Sequence, residues 1–228
     1  MSTEDTGHGG RPGFDTPAGA VAGQEHRTAA EALADEQPLE GLPNLAQTPS
    51  QTVGPFFGYA LPFAGGAELV PAGRPDAVVL HGIVLDGAGD PVPDALLELW
   101  QPDAAGVLPH VAGSRRRSLG RFTGFGRTGT EADGEYAFTT LLPGAVGDGP
   151  RWALVTVFAR GLSHHLFTRA YFVADGEPDP SDALLDRVGA RSRTLLARQD
   201  GPGSYRFDVR LQGDGETVFL DYREAPAR

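Results

Sequence analysis

Along residues 205–212 apolar and polar side chains alternate without a break, with Tyr205, Phe207, Val209 and Leu211 set against Arg206, Asp208, Arg210 and Gln212. A period of two marks an extended strand with one face in a core and the other in water. The run Thr217 to Tyr222 follows after Gly213-Asp214-Gly215-Glu216, and that turn predicts a hairpin between the two segments. Upstream, short runs rich in branched and aromatic residues recur between turn-forming clusters: Ala77 to Leu85, Ala95 to Gln101, Glu135 to Leu141, Trp152 to Arg160 and His165 to Phe172. The first two flank Asp86-Gly87-Ala88-Gly89-Asp90 and are expected to pair with each other.

One helix interrupts the strands. Asp179-Pro180-Ser181-Asp182 supplies an N-cap at Asp179 and a proline at the first helical position, and Leu184, Leu185 and Val188 share a face that Leu195 and Leu196 resume beyond Gly189. Seven or so short strands with one intervening helix predict a mainly β fold, a β-sandwich. A doubly wound sheet would need strands and helices to alternate.

The segment Thr48 to Tyr59, T-P-S-Q-T-V-G-P-F-F-G-Y, breaks this pattern. Pro49 and Pro55 remove backbone donors and fix local φ, so the segment reads as an arm and not a central strand, yet Val53, Phe56, Phe57 and Tyr59 need cover. A second chain could supply it. We therefore divide the chain into an acidic leader (1–45) expected to stay mobile, with a weakly supported helix over Glu25 to Asp35, a docking arm and linker (46–75), and the sandwich (76–228).

Composition narrows the chemistry. The formal charge is −11, and residues 1–40 carry eight acidic side chains against Arg11 and Arg27, a net of −6 that leaves −5 for the remainder. That balance, without a basic stripe interleaved with aromatics, argues against a nucleic-acid partner. The absence of cysteine excludes disulfides, thiolate metal sites and a thiol nucleophile, and the absence of lysine excludes Schiff-base chemistry. No apolar run reaches the roughly 18–20 residues of a membrane span and no signal-peptide pattern opens the chain, so the expectation is a cytoplasmic protein without a membrane partner.

Read one by one, the candidate groups assemble no active site. His164 and His165 are neighbours near a strand start, where adjacent side chains diverge, so they do not share a metal. Leu119 to Thr130, L-G-R-F-T-G-F-G-R-T-G-T, lacks the strand-before, helix-after context of a phosphate loop and reads as a turn-rich loop. Arg115, Arg116 and Arg117 form either an anion-collecting cluster or a solvated charge run, and Asp94 and Glu98 make no convincing acid–base pair.

Taken in order, the motifs say more: T-P-S-Q-T-V-G-P, L-E-L-W-Q-P-D-A-A-G at Leu97 to Gly106, F-G-R-T at Phe125 to Thr128, D-G-E-Y at Asp133 to Tyr136, L-P-G at Leu142 to Gly144, F-A-R-G at Phe158 to Gly161, R-A-Y-F at Arg169 to Phe172, and Y-R-F-D-V-R-L-Q-G-D-G-E-T at Tyr205 to Thr217. Over about Leu42 to Tyr222 the chain resembles the intradiol ring-cleavage dioxygenases, most closely the α chains of their two-chain members. In such members a β chain binds iron(III) through two histidines and two tyrosines. The matching positions here are Leu154 and Thr156 for the histidines and Val146 for one tyrosine, while no Tyr lies between Trp100 and Glu135 for the other.

The resemblance implies an intradiol-type core and an α chain that binds no metal itself. Its partner, an iron-bearing β subunit, would cleave 3,4-dihydroxybenzoate with O2 to 3-carboxy-cis,cis-muconate in aromatic catabolism. It also implies that Thr52, Pro55 and Phe56 wall the substrate pocket and that Arg160 contributes a catalytic positive charge. The competing role for Arg160 is to pair with an acidic surface group. Phe56 stands where α chains often carry Tyr. A rival of another class is a noncatalytic sandwich acting alone as a small-ligand or protein-binding module.

Overall fold

A computed structural model describes residues 48–110 and 122–222. The leader, the helix expected over Glu25 to Asp35 and the arginine run at 115–117 lie outside the described residues. The elements are α1 (Phe57–Ala60), β1 (Ala77–Leu85), β2 (Leu96–Trp100), β3 (Phe125–Gly129), β4 (Glu135–Leu141), β5 (Trp152–Phe158), β6 (Leu166–Val173), α2 (Ala183–Val188), a 3-10 helix (Gly189–Leu195), β7 (Leu196–Gly201), β8 (Ser204–Arg206) and β9 (Val209–Arg210).

Hydrogen-bonded neighbours run β3-β2-β5-β6-β7-β8-β1-β4, with β9 beside β1. This path folds over itself. Leu80 and Val84 of β1 and Phe138 of β4 share one apolar core with Leu97 and Leu99 of β2 and with Val155 and Val157 of β5, all fully excluded from solvent. Both halves bury alternate residues inward, and the expected β-sandwich is the result. The end of β2 is tied to β4 by a buried amide: Gln101 Nε2 donates to the Leu141 carbonyl at 2.9 Å, and its Oε1 accepts from the Thr140 hydroxyl at 2.9 Å. A buried Gln is tolerated because both ends are satisfied.

Four local expectations are corrected. β1 and β2 are not partners. β1 pairs with β4, β8 and β9, and β2 lies between β3 and β5, while the Asp86 to Asp90 turn closes only a short bridge from Leu85 to Pro91. Residues 205–212 keep their alternation, with Tyr205, Phe207 and Val209 buried, but divide into β8 and β9 running parallel to β1. The hairpin to 217–222 is confined to its turn, where the Thr217 amide donates to the Arg210 carbonyl at 3.0 Å, and Leu220 bridges instead to Phe167.

The stretch read as a loop around Phe125 to Gly129 is β3, paired with β2 throughout. Gly126 serves there by its lack of a side chain, since a Cβ would lie 2.5 Å from Leu69 Cδ1 and 3.0 Å from Phe138 Cδ1. The helix begins three residues later than expected. Asp182, not Asp179, is the N-cap, with its Oδ1 accepting from the amides of Leu184 at 2.9 Å and Leu185 at 2.8 Å. The apolar stripe is present, because Leu185, Leu195 and Leu196 pack together with Leu184 against Tyr171 and Val173.

Candidate functional site

β5 divides its residues between two environments. Ala153, Val155 and Val157, continued by Ala159, are within 1% of complete burial in the core, while Leu154, Thr156, Phe158 and Arg160 lie on the opposite face, where Thr156 is still covered by its neighbours. Registers then fix their neighbours. Leu154 lies between Trp100 on β2 and Arg169 on β6, and Thr156 lies between Glu98 and Phe167. Arg169 stacks on Trp152, its guanidinium carbon 4.3 Å from the ring centroid, and Nη1 donates to the Tyr171 hydroxyl at 3.4 Å. Tyr171 in turn donates to Asp182 Oδ2 at 2.8 Å, and burial first, with the Asp182 carboxylate, pushes its pKa up to about 12.

At the end of this face, Arg160 Nε donates to Asp94 Oδ2. The next residue along connects to the arm: the Gly161 amide donates to Thr52 Oγ1 at 2.7 Å. Two expected site residues 108 positions apart in sequence are thus brought together, Thr52 through its hydroxyl and Arg160 through the adjoining amide. Pro55 and Phe56 lie exposed on the same arm, Phe56 at 78%, and Tyr59 is exposed at 86%, whereas Phe57 is covered by the chain itself. Beside Arg160 the outer face carries a run of touching rings. Phe158 and His165 have centroids 5.4 Å apart, His165 and Phe167 4.7 Å, and Phe167 and Tyr222 5.4 Å. His165, Phe167 and Tyr222 also line a cleft of about 510 Å³ with His164, Phe219 and Leu220.

Arg127 is a residue the sequence reading did not single out. On β3, opposite Glu98, it bonds that carboxylate through Nε at 2.8 Å and through Nη2, while Nη1 donates to the Leu61 carbonyl at 2.9 Å. It therefore ties the end of the arm to the outer face. Its signal was an arginine in F-G-R-T and a glutamate in L-E-L-W, uninterpretable until β3 was known to pair with β2.

The face does not fit a ferric centre. Leu154 and Thr156 offer neither imidazole nor phenolate, Trp100 and Phe167 bring apolar rings, Arg169 brings a cation, and the Glu98 carboxylate is held by Arg127. Val146, after the Pro143-Gly144 turn, is an exposed aliphatic side chain. Among the described residues no three His, Cys, Asp or Glu side chains gather as a metal site. What the arrangement can offer is a fixed positive charge, an aromatic wall and a proline-stiffened arm at its edge.

A family model described as Dioxygenase matches residues 53–213. The chain belongs to that family. The protocatechuate 3,4-dioxygenase alpha chain of Burkholderia cepacia is 41% identical over 198 residues, covering 79% of this chain and all of the relative. The alpha chain of the same name from Pseudomonas putida is 37% identical over 207 residues, 81% of this chain and again all of the relative. The protocatechuate 3,4-dioxygenase beta chain of Burkholderia cepacia is 32% identical over 159 residues, 62% of this chain and 67% of the relative. Intradiol dioxygenases depend on non-heme iron, for which the outer face of β5 in this chain offers no imidazole or phenolate at 154 and 156. No helix among the described residues is long and apolar enough to cross a membrane.

Proposed function

We propose that this chain is the α subunit of a protocatechuate 3,4-dioxygenase. Together with a homologous β subunit that carries Fe(III), it takes part in the cleavage of protocatechuate (3,4-dihydroxybenzoate) between its hydroxyls by O2. The product is 3-carboxy-cis,cis-muconate, in the β-ketoadipate route of aromatic catabolism, and the work is done in the cytoplasm. The observation that carries this reading is the outer face of β5: the chain spans the full length of two relatives named as alpha chains, yet Leu154 and Thr156 offer no iron ligand.

In this reading iron chemistry belongs to the β subunit, and the residues of this chain bind and orient. Arg160 is permanently protonated and stands where a guanidinium can face an anionic aromatic ligand, a contribution realised most strongly once water is excluded. Its bond to Asp94 involves two partly exposed side chains, 59% and 31%, so it is weak enough to be exchanged for a ligand. Thr52, bonded to the Gly161 amide, sets the arm against that arginine, so that Pro55 and Phe56 wall the same space. The uncovered rings of Phe56 and Tyr59 on this arm (46–75) mark the docking surface for the β subunit.

Coexpression with a β chain tests the proposal. The expected result is a stable, coloured, iron-containing complex from which this chain separates colourless. Within that complex Arg160→Ala keeps the iron and the colour but lowers kcat/KM for protocatechuate by about a hundredfold. Stoichiometric ferric ion and unaided oxygen uptake in the isolated chain would overturn the assignment. Failure to associate with any β chain would return the chain to a binding module that works alone.

A further inference from the structure

The sheet face opposite the core on β7, β8 and β9 concentrates positive charge in a chain whose formal charge is −11. A cleft of about 530 Å³ opens there between the 3-10 helix, the strands and the turn at 213–217. Its walls carry Arg193, Arg198, Arg206 and Arg210 against only Asp200 and Asp208. Core burial of Ala197, Tyr205 and Val209 accounts for the grouping, since Arg198, Arg206 and Arg210 are the neighbours in sequence that alternation turns outward. Arg198 and Arg206 are also direct cross-strand partners, a like-charge pairing that is unfavourable in itself.

The two aspartates are already engaged. Asp200 Oδ2 lies 3.0 Å from His81 Nε2, and hydrogen bonding, first from Ser204 and then from His81, holds its pKa below the usual carboxylate value. Asp208 accepts from the Ile83 amide at 3.1 Å and from Arg206 Nε at 3.0 Å. Arg198 reaches out to Asp179 at 2.7 Å, an exposed pair that screens little of its charge within the cleft. Arg193 and Arg210 have no acidic partner among the described residues.

Those two arginines stand on backbone that is fixed on either side of one short strip. The Val218 amide donates to Thr194 Oγ1 at 3.1 Å, beside Arg193, and the Arg210 amide donates to Thr217 Oγ1 at 2.9 Å. Two uncommitted guanidinium forks on held backbone, flanked by two more guanidinium groups, form a preorganised receptor for oxyanions.

We propose that this cleft binds a small polyanion carrying at least two carboxylate or phosphate groups. The guanidinium forks recognise both chemistries, so the two are separated by the choice of probe.

The test is titration of the full chain with citrate and, separately, with inorganic pyrophosphate, at constant ionic strength made up with chloride and followed by calorimetry. One-to-one saturable binding is expected with at least one probe. Binding of citrate alone assigns carboxylates, and binding of pyrophosphate alone assigns phosphates. Arg193→Gln and Arg210→Gln should each weaken that binding about ten- to a hundredfold, as expected for the loss of a charge-assisted hydrogen bond. Arg193 lies exposed on the 3-10 helix, so its variant keeps the fold, and unchanged circular dichroism checks this. No saturable heat with either probe, an equal response to chloride, or affinity unchanged in both variants overturns the proposal.

Discussion

Replacing Arg127 by Met keeps much of the side-chain volume and removes the charge that ties the arm to the outer face. Its side chain is 13% exposed and that of Glu98 21%, which places the pair nearer the buried than the exposed limit. Stranding a fully buried carboxylate costs about 3–5 kcal/mol, whereas breaking an exposed pair costs at most about 1 kcal/mol. An intermediate figure of about 2–3 kcal/mol is expected for Glu98, with roughly 1 kcal/mol more for the charged bond to the Leu61 carbonyl. With a urea m-value of about 2 kcal/mol/M, a total of about 3–4 kcal/mol moves the unfolding midpoint down by about 1.5–2 M. Because most of that cost is the stranded carboxylate, Arg127→Met combined with Glu98→Gln should recover all but about 1 kcal/mol. The double variant still lacks the Leu61 bond, so chymotrypsin should cut at the arm's aromatic residues faster than in the wild type. If the single variant loses less than 1 kcal/mol, or the double variant is no more stable than the single, the reasoning fails.

Two further outcomes follow from the core. A Cβ at Gly82 would meet the Phe207 carbonyl oxygen at 2.0 Å and its carbon at 2.6 Å, both backbone atoms. Gly82→Ala should therefore displace the β8–β9 link and cost about 3 kcal/mol or more in denaturant unfolding, while Gly58→Ala, with nothing within 4 Å, should stay within about 1 kcal/mol of the wild type. Tyr136 is buried and donates to the Phe207 carbonyl, and burial, followed by the nearby Asp208 carboxylate, raises its pKa far above the ordinary value. The folded state keeps this proton when the unfolded chain loses it, so stability is intact below about pH 10 and falls as pH rises further. Tyr136→Phe should cost about 1–2 kcal/mol at neutral pH and flatten the alkaline fall by about 1.4 kcal/mol per pH unit; an unchanged alkaline slope contradicts the assignment.

The parts of the fold legible in the sequence are those decided locally. β1 and β4 have the bounds the apolar runs suggested, because burial on alternate residues leaves a pattern in the chain itself. The parts that were not legible depend on partners far away. β3 holds two glycines and an arginine in five residues, a poor strand by propensity, and it exists because β2 offers Glu98 to Arg127 and because Leu69 and Phe138 occupy the space a side chain at Gly126 would need. Residues 205–210 carried a clear alternation, but alternation does not say which strand lies alongside, and β1 won the pairing over a nearby turn. The site divides the same way. The outward placement of Leu154, Thr156, Phe158 and Arg160 was readable from period two, whereas the Thr52–Gly161 bond needed the arm to return across 109 residues.

That division bears on how the metal-binding capacity is missing. If the proposed correspondence of 154 and 156 to the histidine positions of an iron-binding β chain were the whole difference, Leu154→His with Thr156→His would build half a ferric site. The surroundings are unsuited as well: Arg169 stands across from Leu154 and is held by Trp152 and Tyr171, and Glu98, the cross-strand neighbour of Thr156, is committed to Arg127. A guanidinium beside a trivalent cation is repulsive, and imidazoles placed there would bind it weakly. The double histidine variant is therefore expected to fold, bind no stoichiometric Fe(III) by metal analysis and show no visible charge-transfer band. One tightly held equivalent of iron in that variant would mean that the neighbourhood of 154 and 156 is still a metal pocket, and that the exchange of ligands alone had emptied it.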